Sequence, residues 1–181
     1  MGMQLASAAL ARGHRVTVVS GPVAEAMPKG ARVIPVERAA EMACALHREA
    51  RGADAIIMAA AVSDFRPVRV VSSKVRRRAR LRLAFEATPD IIGRLPRRPH
   101  QVVVGFALET DRVVARAKRK LREKQLDLLL AQQASRTGSP FGRRSVRAWL
   151  LSRDGAVKDL GTTSKSAVAR QLFDAIEAMA T

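Results

Sequence analysis

Apolar positions along this chain fall into two alternating textures. Short β-branched runs are separated by stretches in which apolar residues recur every three or four positions, so strands and helices should alternate. Residues 3–12 are rich in Ala and Leu and read as a helix, and Arg15-Val-Thr-Val-Val-Ser20 reads as a buried strand ending at Gly21-Pro22. Residues 33–36 suit a short strand, and residues 39–51 place Met42, Ala45, Leu46 and Ala50 on one helical face. Ala55-Ile-Ile-Met-Ala-Ala-Ala-Val62 is an unbroken apolar run, the pattern of a parallel strand covered on both faces. Residues 101–106 repeat it, residues 113–124 form an amphipathic basic helix, and Leu126-Asp-Leu-Leu-Leu-Ala131 is another strand. The texture then changes. Residues 146–151 and 156–160 flank Arg153-Asp154-Gly155, a good hairpin turn. Ser164 stands where an N-cap belongs, before a closing helix that runs to Met179.

This order predicts an α/β fold of the Rossmann-like, doubly wound type, with a mostly parallel sheet, helices on both faces and a C-terminal β-hairpin. Residues 66–83 break the pattern. They are basic and irregular, lead into Leu81-Arg-Leu-Ala-Phe85, and are expected to leave the sheet as an arm. Ligands of such sheets bind beyond the carboxyl ends of the strands. The informative positions are therefore Gly21-Pro22-Val23, Ser63-Asp64-Phe65 and Gly105-Phe106 with the next few residues.

Length and composition narrow the picture. The 181 residues suit one domain, and 48% hydrophobic content supplies a core, which excludes disorder for the whole. No apolar window approaches the ~18 residues of a membrane span. Residues 1–12 lack a basic region followed by an apolar stretch and a cleavage site, so a soluble cytoplasmic protein is the expectation. The single cysteine, Cys44, excludes an internal disulfide and a cysteine-rich zinc site. Charge changes the picture most. The net charge is +17, and residues 66–124 hold 18 of the 33 basic side chains but 5 of the 16 acidic ones. Such a concentration points to a polyanion (nucleic acid, nucleotide phosphates or an anionic surface), or to an Arg-rich composition spread over a solvated face. With 3% aromatics and no Tyr, a base-stacking platform is disfavoured.

Asp64 would stand at the carboxyl edge of the sheet, where a carboxylate can hold magnesium beside phosphates or accept from a ribose hydroxyl. The same residue type also closes turns and caps helices. The cluster Lys74-Val-Arg76-Arg77-Arg78 suits a triphosphate, Lys as a mobile point charge and Arg as a bidentate fork, or it is a solvated face. Thr88-Pro89-Asp90-Ile91 reads as a helix start, whose free N–H groups can take an anion. Phe106 could meet a flat base or belong to the core. Lys120 and Lys124 are four apart and share a helical face. His14, His47 and His100 are scattered, with no Ser-His-Asp set, metal-ligand spacing or phosphate loop beside them.

The order of these segments is more specific than any one of them. Met1-Gly2, Leu5-Ala6, Arg12-Gly13-His14 and Val16-Thr-Val-Val-Ser-Gly-Pro-Val23 resemble the synthetase domain of the phosphopantothenoylcysteine synthetase family, often the C-terminal half of a bifunctional coenzyme A biosynthesis flavoprotein. The likeness continues through Ala59-Ala-Ala-Val-Ser-Asp-Phe-Arg66, Lys74-Val-Arg-Arg77, Pro89-Asp-Ile-Ile92, Val103-Val-Gly-Phe-Ala-Leu-Glu-Thr110 and Lys120 through Lys124 to Leu126-Asp127. The resemblance implies a ligase that activates 4'-phosphopantothenate with CTP and Mg2+, giving an acyl-cytidylate that the amine of cysteine opens. By the same likeness Ala60 and Asp64 belong to the nucleotide site, Asp64 beside the metal, and Lys74 meets the triphosphate. Pro89, Asp90, Ile91 and Ile92 frame the cytosine end with Phe106, and Lys120 and Lys124 complete the set. The family works as a homodimer, with the arm around Lys74 helping to build the shared site.

The likeness also begins partway. The family's domain opens with a strand and a Gly/Ser-rich loop carrying an Asn important for the acyl-cytidylate, then runs into Met-Gly, where these residues start. The implied unit is a single synthetase-like domain over residues 1–181 without that strand and loop, the strands at Val16 and Ile56 flanking a slot. The catalytic Asn then lies upstream of Met1, and the 181 residues alone are expected to release no measurable pyrophosphate. Gln132 stands where the family has Asn, and Pro140-Phe-Gly-Arg-Arg144 lacks its acidic and Asn residues. A non-catalytic basic α/β module binding nucleic acid is the alternative from another class. No recognised nucleic-acid motif supports it.

Overall fold

The computed structural model describes residues 1–77, 80–134 and 145–180. Arg78 of the basic cluster and the segment 140–144 lie outside the described residues. The chain runs α1 (Gly2–Ala11), β1 (Thr17–Ser20), β2 (Arg32–Pro35), α2 (Ala39–Ala50), β3 (Ala55–Met58), β4 (Phe65–Pro67), β5 (Phe85–Ala87), β6 (Val102–Glu109), α3 (Val113–Glu123), β7 (Leu128–Gln133), β8 (Ser145–Ser152), β9 (Val157–Ser164) and α4 (Lys165–Ala180). Five strands form the central sheet in the order β3-β6-β7-β8-β9. Its β3–β6 and β6–β7 pairs are parallel, whereas β7–β8 and the β8–β9 hairpin are antiparallel. β1 and β2 pair in parallel as a sheet of their own, and β4 with β5 closes the base of the arm.

The apolar blocks are explained by cover on both faces. Along β7, Leu128 and Leu130 point into a core with Val168, Leu172 and Phe173 of α4 and with Leu5 and Ala9 of α1. Leu129 and Ala131 point the other way, against Val113, Ala117 and Leu121 of α3 and Ala50 of α2. A strand sandwiched like this has no polar face to show, so period-two alternation disappears. The hairpin strand β9 has one covered side at most and reads polar, with the pattern exposed or half-buried throughout.

Polar side chains fix the joints of this core. The buried Asp127 carboxylate accepts from the Val103 N–H at 2.7 Å and from Arg153 at 2.7 Å, tying β6, the start of β7 and the hairpin turn together. Gln101 donates to the Ala50 and Ala53 carbonyls at 2.7 and 2.6 Å and so satisfies the end of α2. Ser164 Oγ accepts the Ala167 N–H at 3.1 Å, the cap expected for α4. Two expectations change. The strand after Ala55 stops at Met58, leaving residues 59–62, two of which line the cleft, without a ladder partner. Residues 88–94 form no helix: Asp90 Oδ1 accepts the Gly93 N–H at 3.1 Å, so the aspartate closes a turn.

Candidate functional site

A cleft of about 320 Å3 opens past the carboxyl end of β3, beside Gly105 and Phe106 of β6. Nine of the ten sequence candidates line it: Ala60 and Asp64 follow β3, Pro89 to Ile92 return from the arm, Phe106 sits on β6, and Lys120 and Lys124 reach in from α3. Lys74 is not among the lining residues; it is exposed on the arm. The position of the arm explains the arrangement. Asp64 hands its carbonyl to the Thr88 N–H at 2.9 Å, and the antiparallel pairs Phe65–Ala87, Arg66–Glu86 and Pro67–Phe85 come directly after it. The outgoing and returning chains therefore enter the cleft side by side, which brings Asp64 and Asp90 to one rim. Ser63 Oγ, donating to the Phe65 carbonyl at 2.8 Å, holds the outgoing turn.

Gly105 makes the floor. A Cβ there would run into the Leu126 side chain, which folds beneath β6. Leu126 arrives there because α3 ends with Gln125 in the left-handed region, at φ 50°, while the Leu126 N–H bonds the Leu121 carbonyl at 2.9 Å. Phe106, one residue on, has its ring half-buried against the core shared by α1 and α4, although it also borders the cleft. It belongs to the core as well as to the site.

The cationic wall is held by carboxylates. Lys120 Nζ lies 2.7 Å from Glu109 Oε1, and Lys124 Nζ lies 3.2 Å from Asp90 Oδ2. Part-burial raises the Asp90 pKa, but the Gly93 N–H and Lys124 outweigh it and hold the carboxyl below its ordinary value. Sequence reasoning passed over Glu109, near the end of the Val103-to-Thr110 run, because the local pattern does not separate an enclosed carboxylate from a surface one. Its 7% exposure is a tertiary fact.

Asp64 is exposed, and its carboxylate makes no hydrogen bond or ion pair among the described residues. No group of three or more acidic, His or Cys side chains fit to hold a metal occurs among the described residues. The described residues thus build no dedicated metal cage. One free carboxylate does fit magnesium that brings phosphate oxygens and water as its other ligands.

The model of the DNA/pantothenate metabolism flavoprotein C-terminal domain matches residues 1–179. The chain belongs to that family. It is 36% identical over 182 residues to the coenzyme A biosynthesis bifunctional protein CoaBC of Bacillus subtilis (strain 168), covering 99% of this chain and 45% of the relative. The chain therefore spans less than half the length of that relative. The crystal structure of the C-terminal domain of a CoaBC protein superposes with a TM-score of 0.82 at 31% identity, over 98% of this chain and 81% of that one. A complex with phosphopantothenate-cysteine superposes with a TM-score of 0.71 at 17% identity, over 99% and 76%, a likeness of fold alone. No helix among the described residues is long and apolar enough to cross a membrane.

Proposed function

We propose that this chain is the phosphopantothenate–cysteine ligase unit of coenzyme A biosynthesis, with CTP as the activating nucleotide. The observation that carries the reading is the convergence of residues 60–64, 89–92, 106 and 120–124 on one cleft, within a chain of this family. A carboxylate resists attack by an amine until one of its oxygens becomes part of a good leaving group. The phosphopantothenate carboxylate would attack the α-phosphorus of CTP, expelling pyrophosphate. The cysteine amine would then attack the acyl carbon, form the amide, lose a proton and expel CMP. Neither step needs redox chemistry; both need charge neutralised around phosphates.

Each cleft residue has a task in that reading. Lys120 and Lys124 offer ammonium donors to phosphate oxygens, Lys124 once the ligand displaces Asp90. The turn at Pro89 to Ile92 and the half-buried Phe106 give a flat apolar border for the pyrimidine. Asp64 would hold Mg2+, which supplies charge neutralisation at the phosphates when bound. Lys74 reaches the site only if the arm folds over it or serves a neighbouring subunit. The arm favours a homodimer: Phe65, Val70, Leu83 and Phe85 are each more than half exposed, a patch that a second copy would cover. A cytoplasmic setting goes with this chemistry.

A thermal-shift titration tests the reading. CTP with magnesium should stabilise the 181-residue chain by about 2.7 kcal/mol over the unliganded protein at a hundredfold excess over Kd, and ATP should stabilise it less. Asp64→Ala should abolish that stabilisation, and Lys74→Ala should weaken it through the folded arm or the neighbouring subunit. Binding of duplex DNA with a steep salt slope and no response to CTP would replace it with the nucleic-acid reading. Sedimentation of Phe85→Asp against the parent tests the dimer, which should dissociate.

A further inference from the structure

We infer that Glu109 is a positioning residue that holds the Lys120 ammonium in the cleft, so that an incoming phosphate meets a lysine already in place. The inference rests on the nucleotide-site reading and adds a residue to it. Glu109 closes β6, and its side chain falls on the α3 face of the sheet together with Val103, Gly105 and Ala107. Its Oε1 is 2.7 Å from Lys120 Nζ and its Oε2 is 3.4 Å from the Arg116 guanidinium, one helical turn earlier on α3. The carboxylate is 8% exposed and the Lys120 side chain 38% exposed, so the anchor is inside and the ammonium is at the cleft.

Two features separate this from ordinary pairing of a buried carboxylate. Arg116 has a second partner in Asp111 at 2.9 Å, outside the cleft, whereas Lys120 turns from Glu109 directly to the cleft. The two lysines of the wall are also held differently. Asp90, the partner of Lys124, is itself a cleft residue and 40% exposed, so a ligand can displace it. Glu109 is fixed behind the wall: its backbone carbonyl takes the Ala134 N–H at 2.8 Å, and it stands opposite Gln133 in the β6–β7 ladder. A lysine on a four-carbon stem otherwise loses rotamer freedom when it binds, and an anchor that removes this cost in advance raises affinity.

Calorimetric titration of the 181-residue protein with CTP plus magnesium, and separately with inorganic tripolyphosphate, tests the assignment. Glu109→Gln and Lys120→Ala should each weaken binding roughly tenfold, the usual weight of a charge-assisted hydrogen bond. The double variant should bind no more weakly than either single one, and Arg116→Ala should stay within about twofold of the parent. Glu109→Asp, which keeps the charge but shortens its reach, should fall between and serves if Glu109→Gln does not fold. Parent-like binding by Glu109→Gln or Glu109→Asp beside a weakened Lys120→Ala would overturn the role. So would losses that multiply in the double variant, or a loss in Arg116→Ala equal to that of Glu109→Gln. Tripolyphosphate bound as tightly as CTP would remove the nucleotide reading and leave the anchor standing; a parent protein that binds neither removes both.

Discussion

The central sheet and the arm both carry large apolar side chains, and these end in opposite places. Leu128, Leu129 and Leu130 of β7 are at most 1% exposed, whereas Val70, Leu83 and Phe85 of the arm are 83%, 61% and 55% exposed. The difference lies in cover. β7 has a strand on each side and helices above and below, so every apolar atom there leaves water. Among the described residues the arm has one three-residue pairing, β4 with β5, and no helix over it, so its valines and leucines stay largely in water. The cleft lies where these regions meet. Its lysines come from the packed α3, and its one remote candidate, Lys74, comes from the arm. The packed side supplies fixed charges, and the arm supplies charges that need a surface to settle on.

That contrast can be broken most sharply by truncation. Leu130→Ala should cost about 2–5 kcal/mol, while Val70→Ala should stay within about 0.5 kcal/mol. Urea unfolding followed through the single tryptophan, Trp149, compares them, and equal losses would erase the distinction. Gly105→Ala comes next. Its methyl must push Leu126 from beneath the cleft floor, at about 1–3 kcal/mol, and a change of cleft shape should weaken ligand binding as well. At the end of α3, Gln125→Gly should stabilise by about 0.5–1 kcal/mol, because glycine adopts the left-handed conformation there without strain. A melting temperature unchanged or lowered would show that the Gln125 side chain compensates.

The smallest effect is electrostatic. Asp90 is held below its ordinary value in the folded chain, so it releases a proton more readily folded than unfolded. Its stabilising contribution is complete above about pH 4, the unfolded value, and disappears as pH falls through the lower folded value. Asp90→Asn should therefore flatten the acid limb of the stability curve slightly and leave stability near pH 7 without further pH dependence from this site. An unchanged acid limb would mean that Lys124 and the Gly93 N–H contribute little at Asp90.

Much of the architecture was legible in the pattern of residues. The Leu126-to-Ala131 run announced a covered strand because only burial on both faces tolerates adjacent leucines. Arg153-Asp154-Gly155 announced its hairpin because Gly155 takes φ 96° at no steric cost. Thr88-Pro89-Asp90 misled as a helix start, since the chemistry that caps a helix also closes a turn, and only the residues beyond it decide between them. The run after Ala55 misled in length: hydrophobicity persists through Val62, but β6, its partner, supports pairing only as far as Met58.

Hydrophobic periodicity and turn chemistry are local quantities, and by themselves they determined the alternation of strands and helices, the hairpin, the α4 cap and the basic texture of the arm. The site is not local. That Glu109 stands behind Lys120, that Asp90 holds Lys124, and that Leu126 fills the space Gly105 leaves open were decided by the tertiary structure. These groups lie 11 to 34 residues apart along the chain and meet only after parallel pairing and the α3 turn bring them together. A carboxylate's partner and its exposure depend on that packing, so the same residue letters read as surface charge until the fold encloses them.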